Sequence, residues 1–124
     1  MAGLGDVDGD GKLELGLTGW EHGQGLRCLN AATGELKWEL PLEENPRVPV
    51  YGVDIDGDGR DEFLFAAGTT LYAVNGRADA GRILWQTPLP SEPGNLALAD
   101  VDADGRTEIL FLGEDSVLYC LDVA

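Results

Sequence analysis

Three aspartates alternate with other residues near the start of the chain, in the segment DVDGDGKLE that begins at Asp6. The same spacing returns in DIDGDGRDE from Asp54 and in DVDADGRTE from Asp100. Carboxylates this close together repel one another, so the spacing is costly unless positive charge lies among them. If the backbone wraps around one centre, the first, third and fifth side chains converge on it, and glycine at the sixth position permits the sharp turn. The seventh residue can add its carbonyl and the acid at the ninth position can close the shell, so the sequence predicts three cation sites.

Calcium is the metal that these donors favour. Ca²⁺ takes about six to eight oxygen ligands in flexible geometry, whereas Mg²⁺ requires a tight octahedron and keeps several waters. The loops contain no His or Cys, which makes Zn²⁺ and copper poor candidates. The predicted ligands, with the seventh residue of each loop contributing its carbonyl, are Asp6, Asp8, Asp10, Lys12 and Glu14; Asp54, Asp56, Asp58, Arg60 and Glu62; and Asp100, Asp102, Asp104, Arg106 and Glu108.

A structural role is expected for these ions, up to three Ca²⁺ in all, because five protein ligands leave little open coordination for a substrate. Three ions would bring the formal net charge of the chain from −15 to −9. A turn that merely favours Asp and Gly would explain one such loop, but it explains three copies in register poorly. The helix-loop-helix calcium site is rejected because its closing acid is at position twelve, whereas the closing acid of these loops is at position nine.

The rest of the chain repeats in step with these loops, which lie 48 and 46 residues apart. LRCLN, LYAVN and LYCLD form a second repeated motif, and TGELKWELPL and AGRILWQTPL form a third. Short apolar runs separated by Gly, Asn, Asp and Pro predict strands rather than helices. Four antiparallel strands in about 40–50 residues make one β-propeller blade. We therefore predict an all-β fold of four-stranded blades at residues 1–48 and 49–94, with an incomplete blade at 95–124.

About 2.75 blades do not close a ring, which needs roughly four to eight. Two explanations are open: the chain is a segment of one propeller domain in a longer protein, or copies of it associate to complete a ring. We favour the first. In either case the expected partner is the rest of a propeller, in the same chain or in homo-oligomer copies.

The loops DVDGDGKLEL, DIDGDGRDEFL and DVDADGRTEIL resemble the FG-GAP/VCBS class of calcium-bearing propeller repeats. LRCLNAATGELKW and LYAVNGRADAGRILW are similar to the outer-strand motif of PQQ-type, quinoprotein-like blades. That resemblance implies that Trp38 and Trp85, with their preceding glycines, dock neighbouring blades together. The second blade lacks the ATG turn of the first, and the third lacks the docking Trp.

Composition excludes several partners. A net charge of −15 disfavours nucleic acid and anionic membranes, which bind basic patches. No apolar stretch approaches the ~20 residues of a membrane span, and no secretory signal series opens the chain. Cys28 and Cys120 occupy equivalent positions two blades apart, too distant for a disulfide, so free and buried thiols are expected.

Residues outside the repeat carry the ligand hypothesis. The segment LTGWEHGQG is longer than its counterparts and places Trp20, Glu21 and His22 at the blade end opposite the acidic loop, where Arg47 is also expected. Trp20, His22 and Arg47 could bind a sugar, although an ordinary surface loop is the favoured interpretation. The sequence gives little support for catalysis, because the single His is not accompanied by a nucleophile motif. Glycoside hydrolysis would require two free acids in one cleft, and the sequence does not bring Glu21 and Glu43 together.

The predicted function is a calcium-stabilised propeller module that binds carbohydrate or protein, or acts as a scaffold. An extracellular, periplasmic or cell-surface location is expected. The alternative is the propeller portion of a secreted polysaccharide-degrading enzyme, resembling rhamnogalacturonan lyases. A PQQ-dependent oxidoreductase is more distant, because the blade motif alone implies no quinone site.

Overall fold

The computed structural model describes residues 2–18, 25–44, 46, 49–76 and 80–122. Within these ranges the secondary structure is eleven β-strands, and no helix there could cross a membrane. The strands are β1 (Ala2–Gly5), β2 (Glu14–Leu17), β3 (Gly25–Asn30), β4 (Leu36–Pro41), β5 (Tyr51–Val53), β6 (Glu62–Ala67), β7 (Thr70–Asn75), β8 (Arg82–Pro88), β9 (Pro93–Ala99), β10 (Glu108–Gly113) and β11 (Leu118–Asp122).

The strands form three antiparallel sheets in chain order. The first sheet runs β1-β2-β3-β4, the second β5-β6-β7-β8, and the third β11-β10-β9. Each acidic segment joins the first and second strands of its sheet. The predicted all-β fold of four-stranded antiparallel sheets is confirmed.

The hydrophobic core lies between sheets rather than within one. One cluster, which includes Leu26, Trp38 and Phe63, packs the first sheet against the second. The other, which includes Leu64, Ile109 and Phe111, packs the second against the third. Alternate side chains of a strand point to opposite faces of its sheet. Because both faces of the second sheet are covered, β6 is buried along its whole length. The second sheet is therefore the centre of the fold.

Trp38 is the side chain that docks the first sheet onto the second. It is 6% exposed, and a Cβ added to Gly81 would lie 2.3 Å from its Cζ3 atom. Gly76 is almost as close, with an added Cβ 2.7 Å from Trp38 Cζ2. Only residues without a side chain leave room for the indole at these two positions. Trp38 thus packs between the first two sheets, whereas Gly34, the glycine that precedes it, has no atom within 4 Å of an added Cβ.

Tyr72 and Tyr119 stack on neighbouring phenylalanines. The ring centroids lie 5.4 Å apart for Phe65–Tyr72 and 5.1 Å apart for Phe111–Tyr119. Both tyrosines therefore pack at equivalent positions of their sheets, as the repeat indicates.

The expectation of two buried thiols is wrong for one cysteine. Both cysteines are free, but Cys28 is buried between the first and second sheets while Cys120 is exposed. The physical reason is that Cys120 lies on the outer face of the third sheet, beside Leu112 and Leu118, which are 58% and 68% exposed. No described sheet packs on that face.

Candidate functional site

The acidic loops are residues 6–14 (loop 1), 54–62 (loop 2) and 100–108 (loop 3), counted through the closing glutamate that begins the second strand. Their first aspartates organise the backbone in the same way. Asp6 Oδ2 accepts a hydrogen bond from Gly11 N, Asp54 Oδ2 from Gly59 N and Asp100 Oδ2 from Gly105 N, each at 2.9 Å. Each loop is therefore wound around the carboxylate that opens it.

The sixth position requires glycine for a conformational reason. Gly11, Gly59 and Gly105 have φ angles of 86°, 88° and 87°, in the left-handed region that glycine adopts without a steric penalty. The fourth position also has a left-handed backbone, which was not predicted from the sequence. Gly9 and Gly57 occupy it in loops 1 and 2, while in loop 3 Ala103 adopts a φ of 61°.

The predicted aspartates come together in all three loops, whereas the closing Glu14 and Glu62 are not part of these groups. The three aspartates of each loop place one oxygen apiece within 4.8 Å of one another, and in loop 3 an oxygen of Glu108 joins them. The third and fifth aspartates also accept backbone hydrogen bonds, as Asp56 does from Asp58 N at 3.1 Å and Asp58 does from Arg60 N at 2.8 Å. The loops thus hold converging oxygen donors on a fixed backbone.

The closing glutamates are buried, and each is anchored through one oxygen. Oε2 accepts a hydrogen bond from Val7 N in loop 1, Ile55 N in loop 2 and Val101 N in loop 3, at 2.9, 2.9 and 2.8 Å. In loops 2 and 3 the other oxygen, Oε1 of Glu62 and of Glu108, has no hydrogen-bond partner among the described residues. A buried carboxylate oxygen without a partner is costly. The donor set therefore fits a bound cation.

Loop 1 differs because a lysine reaches its carboxylates. Lys37, on β4, donates from Nζ to Asp8 Oδ2 at 2.8 Å and to Glu14 Oε1 at 3.0 Å. Glu14 is as buried as Glu62, but both of its oxygens have partners. Lys37 is absent from the set of site residues predicted from the sequence.

The carboxyl pKa values follow this difference. Partial burial raises the pKa of Asp8, but the hydrogen bond and the charge of Lys37 outweigh it and the net pKa is lowered. At the same position of loop 2 the pKa of Asp56 is raised, first by desolvation and then by the neighbouring aspartates. Burial also raises the pKa of Glu62 to about 7, and the charges of the loop 2 aspartates act in the same direction. The electrostatics of loop 2 therefore favour an added positive charge.

Loops 1 and 2 are joined directly. Asp6 N donates to Asp61 Oδ2, and Asp61 N donates to the Asp6 carbonyl oxygen, both at 2.9 Å. The Arg60 side chain covers Gly9, where an added Cβ would lie 2.9 Å from its Nε atom. The eighth loop position holds Leu13 in loop 1 and Thr107 in loop 3, so only comparison of the repeats marks Asp61 as unusual.

The junction between loops 2 and 3 is open by comparison. A cleft of about 590 Å³ lies there, and its lining includes Asp54, Asp56, Leu84, Trp85 and Arg106. Trp85 is half-buried in this cleft and packs against the hydrophobic cluster between the second and third sheets. Trp38, in contrast, is almost fully buried. The two equivalent tryptophans thus have different surroundings.

The predicted ligand-binding residues Trp20, His22 and Arg47 lie outside the described residues, as does Glu21. Glu43 is described and is exposed.

Three stacked antiparallel sheets with equivalent loops define a β-propeller type of fold. Residues 54–111, which contain loops 2 and 3, match the FG-GAP-like repeat family. The fold is similar to that of BamB from Moraxella catarrhalis, with a TM-score of 0.61 and 18% sequence identity over 98% of this chain and 32% of that chain. The chain thus spans about a third of that protein's length. No curated protein sequence matches it.

Proposed function

We propose that this chain is a calcium-stabilised β-propeller module, in which the acidic loops hold structural Ca²⁺, up to three ions, and the sheets serve in binding or scaffolding. The observation that carries the proposal is the pair of buried oxygens, Oε1 of Glu62 and of Glu108, that have no hydrogen-bond partner in the described part of the chain. Each belongs to a loop whose aspartate oxygens already converge within 4.8 Å. A divalent cation would satisfy these oxygens and relieve the repulsion between the carboxylates. The VCBS-type and PQQ-like character of the repeats is part of this proposal.

Thermal unfolding with and without calcium tests it. An ion that binds only the folded state stabilises it by about 2.7 kcal/mol per site at a hundredfold excess over Kd. The midpoint is therefore expected to rise in CaCl₂ and to fall when a chelator is added. MgCl₂ at the same concentration is the control, and it should stabilise less because Mg²⁺ fits these loops poorly. An unchanged midpoint in calcium would remove the proposal.

The proposed location is extracellular, periplasmic or at the cell surface. Calcium sites of extracellular modules have dissociation constants of about 10⁻⁴–10⁻³ M, and the acidic loops are expected to bind calcium in this range. Such sites fill where free calcium is millimolar.

The proposed ligand class is carbohydrate or protein, and the proposed partners are further blades of a propeller. A glycan array tests the carbohydrate ligand. An activity screen on pectic polymers tests the alternative, a lyase-like polysaccharide-degrading enzyme, because a binding module would leave the polymers intact.

A further inference from the structure

We propose that the Lys37 ammonium group is the built-in cation of loop 1, and that the residue at its position in the fourth strand decides whether a loop takes Ca²⁺. This inference rests on the proposed calcium function, and it reduces the number of expected calcium sites from three to two.

The position of Lys37 is set by a β-bulge. Cys28 pairs with Trp38 and Leu29 pairs with Leu36, so Lys37 is the extra residue between the two pairs. The second sheet repeats the irregularity, because Ala73 pairs with Trp85 and Val74 with Ile83, which leaves Leu84 as the extra residue. A bulge re-aims the side chain that it inserts. Lys37 and Leu84 are therefore equivalent residues.

In loop 1 the ammonium contacts the oxygens that a metal would use. Its two acceptors, Asp8 Oδ2 and Glu14 Oε1, belong to the third-position and closing ligands of the predicted site. The Lys37 side chain is 20% exposed and that of Glu14 is 1% exposed, so this contact is largely shielded from water. Charge-assisted hydrogen bonds of this kind are strong. A metal ion in loop 1 would have to displace them.

At the closing glutamate of loop 2, no described residue takes the place of the Lys37 ammonium group. Leu84 lines the same cleft as Asp54 and Asp56, so the bulge residue faces the acidic loop of its own sheet but carries no charge. The closing glutamate is left with Oε1 unpartnered, and Glu108 in loop 3 is in the same condition among the described residues. The free carboxylate oxygen thus accompanies the loops that no lysine reaches.

Metal stoichiometry tests the inference. The whole chain is dialysed to equilibrium against CaCl₂ in physiological salt, and bound calcium is measured by atomic absorption. The wild type should bind two Ca²⁺ per chain. Lys37→Leu, which reproduces the residue of the second sheet, should bind three, and Leu84→Lys should bind one. Arg82→Leu, which removes an exposed cation of β8 outside the acidic loops, is the matched control and should bind two.

Failure of the inference is distinguishable from failure of the calcium proposal. Three ions in both the wild type and Lys37→Leu would overturn the role of Lys37 and leave the calcium proposal standing. No bound ion in any variant would overturn both. One ion in Lys37→Leu and none in the wild type would support the role of Lys37 and remove calcium from loops 2 and 3.

Unfolding provides a second measurement. In chelator, Lys37→Leu should melt below the wild type, because Glu14 Oε1 is left buried without a partner. Calcium should then raise its midpoint more than it raises that of the wild type. Equal calcium-induced shifts in the two proteins would contradict the inference.

Discussion

At the scale of single residues, the closing glutamates show how one side chain can serve both fold and site. One oxygen holds the backbone of its loop, while the other is left for a positive partner. A cation bound by the second oxygen would leave the hydrogen bond of the first oxygen in place. Stability, rather than loop conformation, is the property expected to respond to calcium.

Glu62→Gln tests this division of labour. The amide can still accept from Ile55 N but cannot supply a carboxylate to a cation, so the calcium-induced stabilisation should shrink by one site, about 2.7 kcal/mol at a hundredfold excess over Kd. In chelator the variant should be no less stable than the wild type, because a neutral group replaces a buried carboxylate. Unfolding in denaturant measures both values. Glu114→Gln, at an exposed turn, is the control and should leave the calcium effect unchanged.

The two thiols are expected to react differently. Cys120 is exposed and should be alkylated in the folded protein, whereas Cys28 is buried. Burial also raises the pKa of Cys28 to about 12, with the charge of Glu14 acting in the same direction. Because a raised pKa keeps the thiol protonated, the reaction of Cys28 should stay slow from about pH 7 to about pH 9. Mass spectrometry after timed alkylation checks this, and rapid double labelling without denaturant would contradict it.

At the scale of strands and loops, the sequence predicts what is local. Strand positions and loop ligands follow from neighbouring residues, and the 48- and 46-residue offsets keep them in register. Lys37 could not be assigned in this way, since it lies 29 residues from Asp8 and 23 from Glu14 and reaches them only through a bulge. The Asp6–Asp61 contact spans 55 residues and depends on how two sheets pack. Contacts of this kind require the tertiary structure.

Trp38→Ala tests docking between the first two sheets. Removing a buried indole is expected to cost about 3–5 kcal/mol of unfolding free energy. Gly81→Ala should also destabilise, because its Cβ would lie 2.3 Å from the Trp38 ring. The matched control is Gly94→Ala, where the nearest atom is 3.9 Å from the added Cβ. Equal unfolding free energies of Gly81→Ala and Gly94→Ala would show that the Trp38 indole does not constrain Gly81.

At the scale of the whole molecule, stability depends on sheets covering one another. The second sheet has a neighbour on both faces, whereas the outer face of the third exposes Leu112 and Leu118, which are paired across β10 and β11. Apolar side chains clustered on one sheet face favour association. The outer face of the third sheet is therefore expected to associate with another apolar surface.

We therefore expect the isolated chain to self-associate. Light scattering should report a mass above 13.2 kDa that rises with protein concentration. Leu118→Lys should shift the chain toward the monomer, because it places a charge in the centre of the apolar face. Thr69→Lys, at an exposed turn of the second sheet, is the control. A mass of 13.2 kDa at every concentration would contradict self-association.

Asp61 and Glu62 are adjacent in the chain but bond to different loops. Asp61 accepts a hydrogen bond from loop 1, and Glu62 accepts one within loop 2. A pull that extracts β6 must break both at once, and with them the contact between two sheets. Under mechanical load the first two sheets should consequently rupture together, in one force peak rather than two.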